Sequence, residues 1–248
     1  MAYTDDEYEI FSRQFILKAF NEENIKKLEN SLITIVGVGG IGCPLSKYLV
    51  SSGIKNIRLI DKDKIEKSNL SRQILFTVDD IDKKKVIVAK NKLLKINPHS
   101  NIEIIEKFIN NSNLQLLLNS SIVIDTCDNW ETMKLINEYC VNNYIPLISA
   151  SVVGFDVQVA FFENIKKYHI CLNCLFPNKS EPDIARCDKA GVSGIACGVA
   201  GLLAAQKTIN YILNLNKENN KLSMFDIIKG ENQNINIKSN KNCYLYKS

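Results

Sequence analysis

The sequence predicts an α/β fold: a doubly wound sheet, mostly parallel, with antiparallel strands towards the C-terminus. Three observations predict it. Short apolar runs alternate with amphipathic stretches through the first half of the chain. A glycine-rich turn stands directly after the first apolar run and opens a helical pattern. After about residue 150 the pattern changes, with alternation over 157–162 and two short strand-like runs around Gly230. A β-α-β-α order argues for a parallel sheet covered by helices on both faces. Right-handed crossovers then make that sheet open and doubly wound.

Each element has a local reason. Leu32-Ile33-Thr34-Ile35-Val36 reads as a buried strand. Residues 41–52 form a helix ended by Gly53, the residue suited to a left-handed C-cap. Residues 57–60 form the second strand. Asp82 is placed to cap a helix that puts Val86, Ala89, Leu93 and Leu94 on one face, with Pro98 just past its end. Residues 102–105 are the third strand, and 114–118 a short helical piece. Residues 122–124 are the fourth strand, followed by a helix through Met133 and Tyr139. A fifth strand begins at 146–149. A long helix is expected over 193–213. The chain reads as one domain, 1–248, with a helical arm over 1–30, a nucleotide-binding core over 31–150 and a cysteine-containing portion over 151–248.

Composition excludes several classes of function. The chain has 248 residues, 46% of them hydrophobic, enough to bury a sizeable core. Lys plus Arg is 31 against 27 for Asp plus Glu, a net charge of +4 that is too mild and dispersed for nucleic acid. The eight cysteines include a C-x-x-C in a long chain, which points to a reduced, cytoplasmic compartment with metal or thiol chemistry. The acidic start, Thr4-Asp5-Asp6-Glu7, is neither a signal nor a transit peptide. Residues 190–206 carry no charge. A membrane span needs roughly 20 apolar residues. The run holds Gly191, Gly194, Gly198 and Gly201, and reads as a core helix packed closely at its glycines.

Gly37-Val38-Gly39-Gly40-Ile41-Gly42 follows a strand and opens a helix, the context a G-x-G-x-x-G motif requires. Its glycines let backbone approach a phosphate, and the helix N-terminus supplies free N–H groups. Asp61 ends the second strand about twenty residues on, where a carboxylate accepts from ribose hydroxyls. This much reads as a nucleotide or a dinucleotide, and a dehydrogenase fits it. The next stretch departs from that. Ser68-Asn69-Leu70-Ser71-Arg72-Gln73 follows the acidic pair Asp61 and Asp63, and Lys85 stands in the first turn of the next helix. Hydride transfer has no need of Arg72 and Lys85 there. Nucleotidyl transfer does, because charge develops on phosphorus. The alternative is that both are surface cations paired with Asp79, Asp80 or Asp82.

Asp128 follows the fourth strand and is placed to hold Mg²⁺ bridging ATP phosphates, or to cap the helix that begins near Trp130; Asn129 could share either task. Arg13 lies outside the nucleotide core, where an N-terminal arm could carry it across a dimer interface. Cys171 and Cys174 form the C-x-x-C, and Cys243 is a distant third thiol. Tyr246 stands where a second pair would have its second cysteine. Three thiolates with a water or a borrowed ligand, or loss of Zn²⁺, remain open.

Taken together these motifs resemble the E1-like adenylyltransferases that activate ubiquitin-like sulfur carriers, a family that includes ThiF of thiamine synthesis and MoeB of molybdopterin synthesis. The resemblance runs from Ser12-Arg13-Gln14 to Cys243. Arg72-Gln73-Ile74-Leu75-Phe76-Thr77, Pro146-Leu147-Ile148-Ser149-Ala150-Ser151 and Cys174-Leu175-Phe176-Pro177 look closer to ThiF. The resemblance implies a Rossmann-like core and a carrier-binding role for 151–248. It implies ATP bound by Gly37, Gly39, Gly40, Gly42, Asp61, Asp63, Ser68, Asn69, Leu70, Ser71, Arg72, Gln73 and Lys85. It makes Asp128, with Asn129, the magnesium-binding end of the site. It sends Arg13 to the triphosphate of a partner subunit in a homodimer. Cys187 matches the cysteine proposed to link to the activated carrier, and a bland loop thiol is its alternative. A ThiS-like carrier, a persulfide sulfur donor, zinc at Cys171, Cys174 and Cys243, and no nucleic-acid or membrane partner complete the implied set. A dehydrogenase and a non-catalytic scaffold are the rival readings.

Overall fold

The computed structural model describes residues 4–165, 170–177, 191–215, 220–241 and 243–245. Three short helices form the N-terminal arm: α1 (Asp5–Ile10), α2 (Ser12–Phe15) and α3 (Glu22–Asn30). α1 starts at a capping box. The Thr4 hydroxyl accepts from Glu7 N–H at 3.3 Å, and Glu7 accepts from Thr4 N–H at 3.0 Å. The arm is held to the core by an ion triad. Lys55 Nζ lies 3.0 Å from carboxylate oxygens of Glu7 and Glu29, both buried.

The strands are β1 (Leu32–Val36), β2 (Asn56–Ile60), β3 (Asn101–Ile105), β4 (Ile122–Asp125), β5 (Leu147–Val153), β6 (Asp156–Phe162), β7 (Lys221–Asp226) and β8 (Glu231–Asn236). They form one sheet in the order β3-β2-β1-β4-β5-β6-β7-β8. Pairings from β3 to β5 are parallel, and those from β5 to β8 antiparallel, as the sequence predicts. β5 runs across residue 150, so the nucleotide core and the C-terminal portion share one continuous sheet.

Two cores flank the sheet. On one face Ile33, Ile35 and Ile124 pack with α4 (Gly42–Ser51), α5 (Lys85–Leu93) and the 19-residue crossover helix, here named α8 (Gly194–Ile212). On the other, Val36, Val123 and Leu147 pack with α6 (Trp130–Asn142) and with Leu172 of the one-turn helix α7 (Leu172–Leu175). Alternate strand residues therefore serve opposite cores, as the two-residue strand period requires.

Two expectations need correction. Asp82 does not cap α5. It sits at φ +66° in the turn before it, and Lys84 holds the N-cap position without a side-chain bond. Leu94 follows the helix as its C-cap and packs on the same core as Val86, Ala89 and Leu93. The close packing of the uncharged helix belongs to two of its four glycines. A Cβ on Gly194 would lie 2.5 Å from Ser71 O, and one on Gly201 would lie 2.7 Å from Pro44 Cγ and 2.8 Å from Ile41 O. Gly198 faces open space, and Gly191 precedes the helix at φ +70°. No described helix is long and apolar enough to cross a membrane.

Gly201 therefore sets how closely α8 can lie on α4. Gly201→Val is expected to lower unfolding free energy by about 1–3 kcal/mol, because the overpacking exceeds any gain in helix propensity. Denaturant melts of the two proteins measure the difference, and an unchanged midpoint would show that the helices separate freely.

Candidate active site

Strand order reverses between β1 and β4, and the loops leaving those two strands diverge to open a crevice at their C-terminal ends. The glycine loop closes on itself there. Gly37 takes φ +95°, and its N–H donates to Ile60 O at 2.9 Å. A Cβ on Gly42 would stand 2.2 Å from Gly37 O, so the first turn of α4 lies hard against the end of β1. A Cβ on Gly40 would meet Cys197 Sγ at 2.9 Å. Gly39 is different: its nearest such contact is Gln73 Nε2 at 3.8 Å, which leaves room beside the free amides of α4.

The residues around the loop brace it. Asp61 Oδ2 accepts from Val38 N–H at 2.7 Å and Oδ1 from Asp63 N–H at 2.8 Å. Each oxygen keeps a second lone pair for a ligand. Lys85 is buried in the first turn of α5 and its Nζ lies 3.1 Å from Asp63 Oδ2. Its partner is thus Asp63, not Asp79, Asp80 or Asp82; Asp80 is taken by Lys92 and Lys83. Arg72 packs its Cγ 3.4 Å from where a Gly40 Cβ would stand and donates from Nη1 to Ser68 O at 3.0 Å, which leaves guanidinium donors over.

The turn before Arg72 is held by Asn69, which accepts from Glu66 N–H at 3.3 Å. Leu70 packs on the core, and Ser68 and Ser71 are exposed. Gln73 is 3% exposed, and its Oε1 has no hydrogen-bond partner among the described residues.

Beyond β4, Asp128 and Asn129 are exposed at the rim. Asn129 Oδ1 accepts from Thr132 N–H at 3.0 Å, so Asn129 caps α6 and Asp128 does not. Three further residues shape the crevice, none of them marked by a local motif. Thr126 donates its hydroxyl towards Val36 O and Gly37 O, at 3.0 and 2.8 Å, tying β4 to the loop. Cys197 fills the space against Gly40. Asp125 is 1% exposed, with Oδ1 accepting from Cys127 N–H at 3.0 Å and Oδ2 without a partner among the described residues. Burial pushes the Asp125 carboxyl up to about 6, against the Cys127 N–H, which lowers it. Burial also pushes the Cys43 thiol up to about 12 and, with Asp125 beside it, Cys127 well above its ordinary range. Neither thiol is a nucleophile at neutral pH.

Two predicted site residues stand apart from the crevice. Arg13 is exposed on α2, and its neighbour Gln14 donates to Ser52 O at 2.8 Å, at the far end of α4. That end is about 15 Å along the helix axis from the glycine loop. Cys171, Cys174 and Cys243 gather elsewhere, beside α6, with Sγ–Sγ distances of 4.0 Å (171–174) and 3.7 Å (171–243). Sulfur–sulfur hydrogen bonding lowers the Cys174 thiol and raises Cys171. Leu172 N–H donates to Asn137 Oδ1 at 2.9 Å, and the Trp130 and Phe176 rings meet edge to face at 5.8 Å, which ties this cluster to α6. Cys187 and Tyr246 lie outside the described residues.

The Asp125 carboxyl gives a pH signature. Its folded pKa, about 6, lies above its ordinary 3.8, so the folded state holds the proton more tightly. The contribution of this one group to stability is therefore greatest below about pH 4 and is lost as pH rises to about 6. Asp125→Asn should abolish that loss, which is about 3 kcal/mol in the native protein. Urea titrations of both proteins across this range test it; parallel pH profiles would refute it.

Comparison with known proteins accords with this geometry. Residues 11–245 match the ThiF family. A sulfur carrier protein adenylyltransferase from Thermus thermophilus is 30% identical over 249 residues, 98% of this chain and 92% of that protein. The adenylyltransferase and sulfurtransferase MOCS3 of Drosophila virilis is 34% identical over 97% of this chain, which spans only 54% of that longer protein. Among solved structures, Escherichia coli MccB with ATP superimposes with a TM-score of 0.83 at 27% identity, over 95% of this chain and 74% of MccB. The first two relatives are named as adenylyltransferases, and the family expected from the motifs is the one found: the chain belongs to the ThiF family.

Proposed function

We propose that this chain uses ATP to adenylylate the C-terminal glycine carboxylate of a ubiquitin-like sulfur carrier. The observation that carries this reading is the gathering of two cations at the glycine loop. Arg72 packs on Gly40, and Lys85 is held by Asp63, whose amide is bonded to the same Asp61 that accepts from Val38. Hydride transfer would leave both cations without a task. The names of the Thermus and Drosophila relatives point the same way.

In this mechanism the α4 amides, with Gly37, Gly39, Gly40 and Gly42, receive the phosphates, and Asp61 accepts from the ribose. Ser68, Asn69, Leu70, Ser71 and Gln73 form the wall that carries Arg72. The carrier carboxylate attacks the α-phosphorus. A carboxyl oxygen–phosphorus bond forms, the bond to the β-phosphate oxygen breaks, and its electron pair leaves with pyrophosphate. Positioning two anions together, and neutralising the charge that develops with Arg72 and Lys85, lowers the barrier. Asp128 would hold Mg²⁺, an ion that neutralises the departing pyrophosphate when bound. Its exposed carboxylate at the rim of the crevice suits a hard cation.

A persulfide donor first passes its outer sulfur to Cys187; the Cys187 persulfide then attacks the acyl carbon, a carbon–sulfur bond forms, the carbon–oxygen bond to AMP breaks and AMP leaves, which holds the carrier on Cys187 as an acyl disulfide. A low-molecular-weight thiol reductant attacks the Cys187 sulfur, takes its place in a mixed disulfide and releases the carrier thiocarboxylate. Arg13 serves the crevice of a second copy in a homodimer, in keeping with its place at the far end of α4. The three-cysteine cluster holds zinc, and the protein works in the cytoplasm. We take the carrier to be ThiS-like, serving thiamine synthesis. A second reading, activation of a molybdopterin-synthase small subunit, is favoured by the MOCS3 relatives.

Carrier-dependent ATP–pyrophosphate exchange tests the chemistry. Arg72→Ala and Asp128→Ala should each lower exchange by about 10²-fold or more. Exchange at the native level in both variants would overturn the mechanism, and none in the native protein with either carrier would favour a scaffold. Offering each carrier separately, and weighing the thiocarboxylate formed by mass spectrometry, decides between the two pathways.

A further inference from the structure

We propose that Lys55, acting through Glu7, is a positioning residue for the transferase reaction: it fixes the arm that presents Arg13 to the crevice of a second copy. This rests on the two-copy reading of Arg13 above and adds what holds that arginine in place. Lys55 stands directly before β2, in the connector that leaves the far end of α4. Its Nζ lies 3.0 Å from Glu7 Oε2 on α1 and 3.0 Å from Glu29 Oε1 on α3, so one cation holds both ends of the arm. Both carboxylates are buried. Burial raises the Glu7 carboxyl, but the Thr4 N–H and Lys55 outweigh it and hold Glu7 below its ordinary range. The lysine itself is pinned to the sheet. Asn101 N–H donates to Lys55 O at 2.7 Å, and Asn56 Nδ2 donates to Glu29 O at 2.6 Å.

The attachment has a second point on the same connector. Gln14 Nε2 donates to Ser52 O at 2.8 Å, and Phe11, between the two points, is 2% exposed in the core. Glu7, Phe11 and Gln14 stand at i, i+4 and i+7, so one face of α1 and α2 is committed to attachment. Arg13 lies off that face and is exposed, and so are Ile10, Ile16 and Leu17, its neighbours in sequence. A cation set among exposed apolar side chains, on an arm attached by its opposite face, suits presentation to another protein surface.

Lys55 has no direct route to the crevice of its own chain. The length of α4, about 15 Å, separates the connector from the glycine loop. The short route runs through Glu7 to Arg13 in the same arm. A shift of about 1 Å in a charged group that meets a reacting phosphate costs on the order of 10²-fold in rate. A buried ion pair that sets the angle of the arm therefore acts on turnover, and on the partner's crevice, not on its own.

Subunit mixing reads which crevice Lys55 serves. Carrier-dependent ATP–pyrophosphate exchange is measured on the full chain, as single variants and as mixed pairs purified through two different tags. Lys55→Met should lower the maximal rate by about tenfold or more with little change in the KM for ATP, and should lower it no further in an Arg13→Ala background. Lys55→Arg, which keeps the charge, should recover most of the rate. Paired with Arg72→Ala, Lys55→Met should regain exchange, because its intact crevice then meets an intact arm. Paired with Arg13→Ala it should not, because both arms are disabled. The reverse pattern puts Lys55 in the service of its own crevice and overturns the proposal, as does a native rate in Lys55→Met. No recovery in either pairing, with a lowered denaturation midpoint, makes the triad purely structural and overturns it too. Arg13→Ala paired with Arg72→Ala tests the underlying reading by itself. Without recovery there, the two-copy role of Arg13 falls and the proposal with it; with recovery there, failure of the Lys55 pairings counts against Lys55 alone. Lys55→Met leaves two buried carboxylates unpaired. Should it fail to fold, Glu7→Gln takes its place in every pairing, since it fits the capping box and leaves Lys55 paired with Glu29.

Discussion

The approach of Gly42 to the carbonyl of Gly37 is the contact on which the rest of the crevice depends. With room for no more than a hydrogen on Gly42, the helix α4 begins where β1 ends, and its free amides face the space between two diverging loops. Thr126 then bonds both Val36 O and Gly37 O, which locks the end of β4 to the same turn. Asp61 holds Val38 from the side of β2. Three strands thus converge on one short loop, and the acidic rim beyond β4 takes its place relative to that loop through these few bonds.

The charges around the loop are held, not left to solvent. Lys85 is buried against Asp63, and Asp63 reaches Asp61 through its own amide. Arg72 lies between the loop and the first turn of α8, because Gly194 lets the Ser71–Arg72 backbone approach so closely. A cation fixed before substrate arrives costs no reorganisation when charge develops, which is the physical basis of electrostatic preorganisation. The close packing of α8 on α4 at Gly201 therefore belongs to the same design as the glycine loop: both bring backbone nearer than any side chain would permit.

Some features were legible one residue at a time. The order of strands and helices followed from hydrophobic period, and the loop from its glycines between a strand and a helix. Ser193 caps α8 and Gly53 ends α4 in a left-handed conformation, as short-range chemistry demands. Other features were open or misread from local pattern alone. Asp128 and Asn129 both suit an N-cap, and only the backbone path shows that Asn129 takes it. Asp82 has a capping side chain, but the turn it stands in places it at φ +66° and starts the helix later. Gly198 repeats the pattern of Gly194 and Gly201, yet a Cβ there would meet nothing within 4 Å among the described residues.

What the sequence by itself determined is therefore chemical and local: the α/β order, the phosphate-binding turn, the residue types around it and the three thiols with their tyrosine-substituted partner. What only the tertiary structure decided is which of those residues meet. Lys85 pairs with Asp63, and Asp125 is buried with one oxygen unpartnered among the described residues; Cys197 backs Gly40, and Cys243 closes on Cys171 from 72 residues away. Each of these depends on distance across the sheet or between layers. A local pattern fixes dihedral angles and faces, while such distances come from the packing of the whole chain.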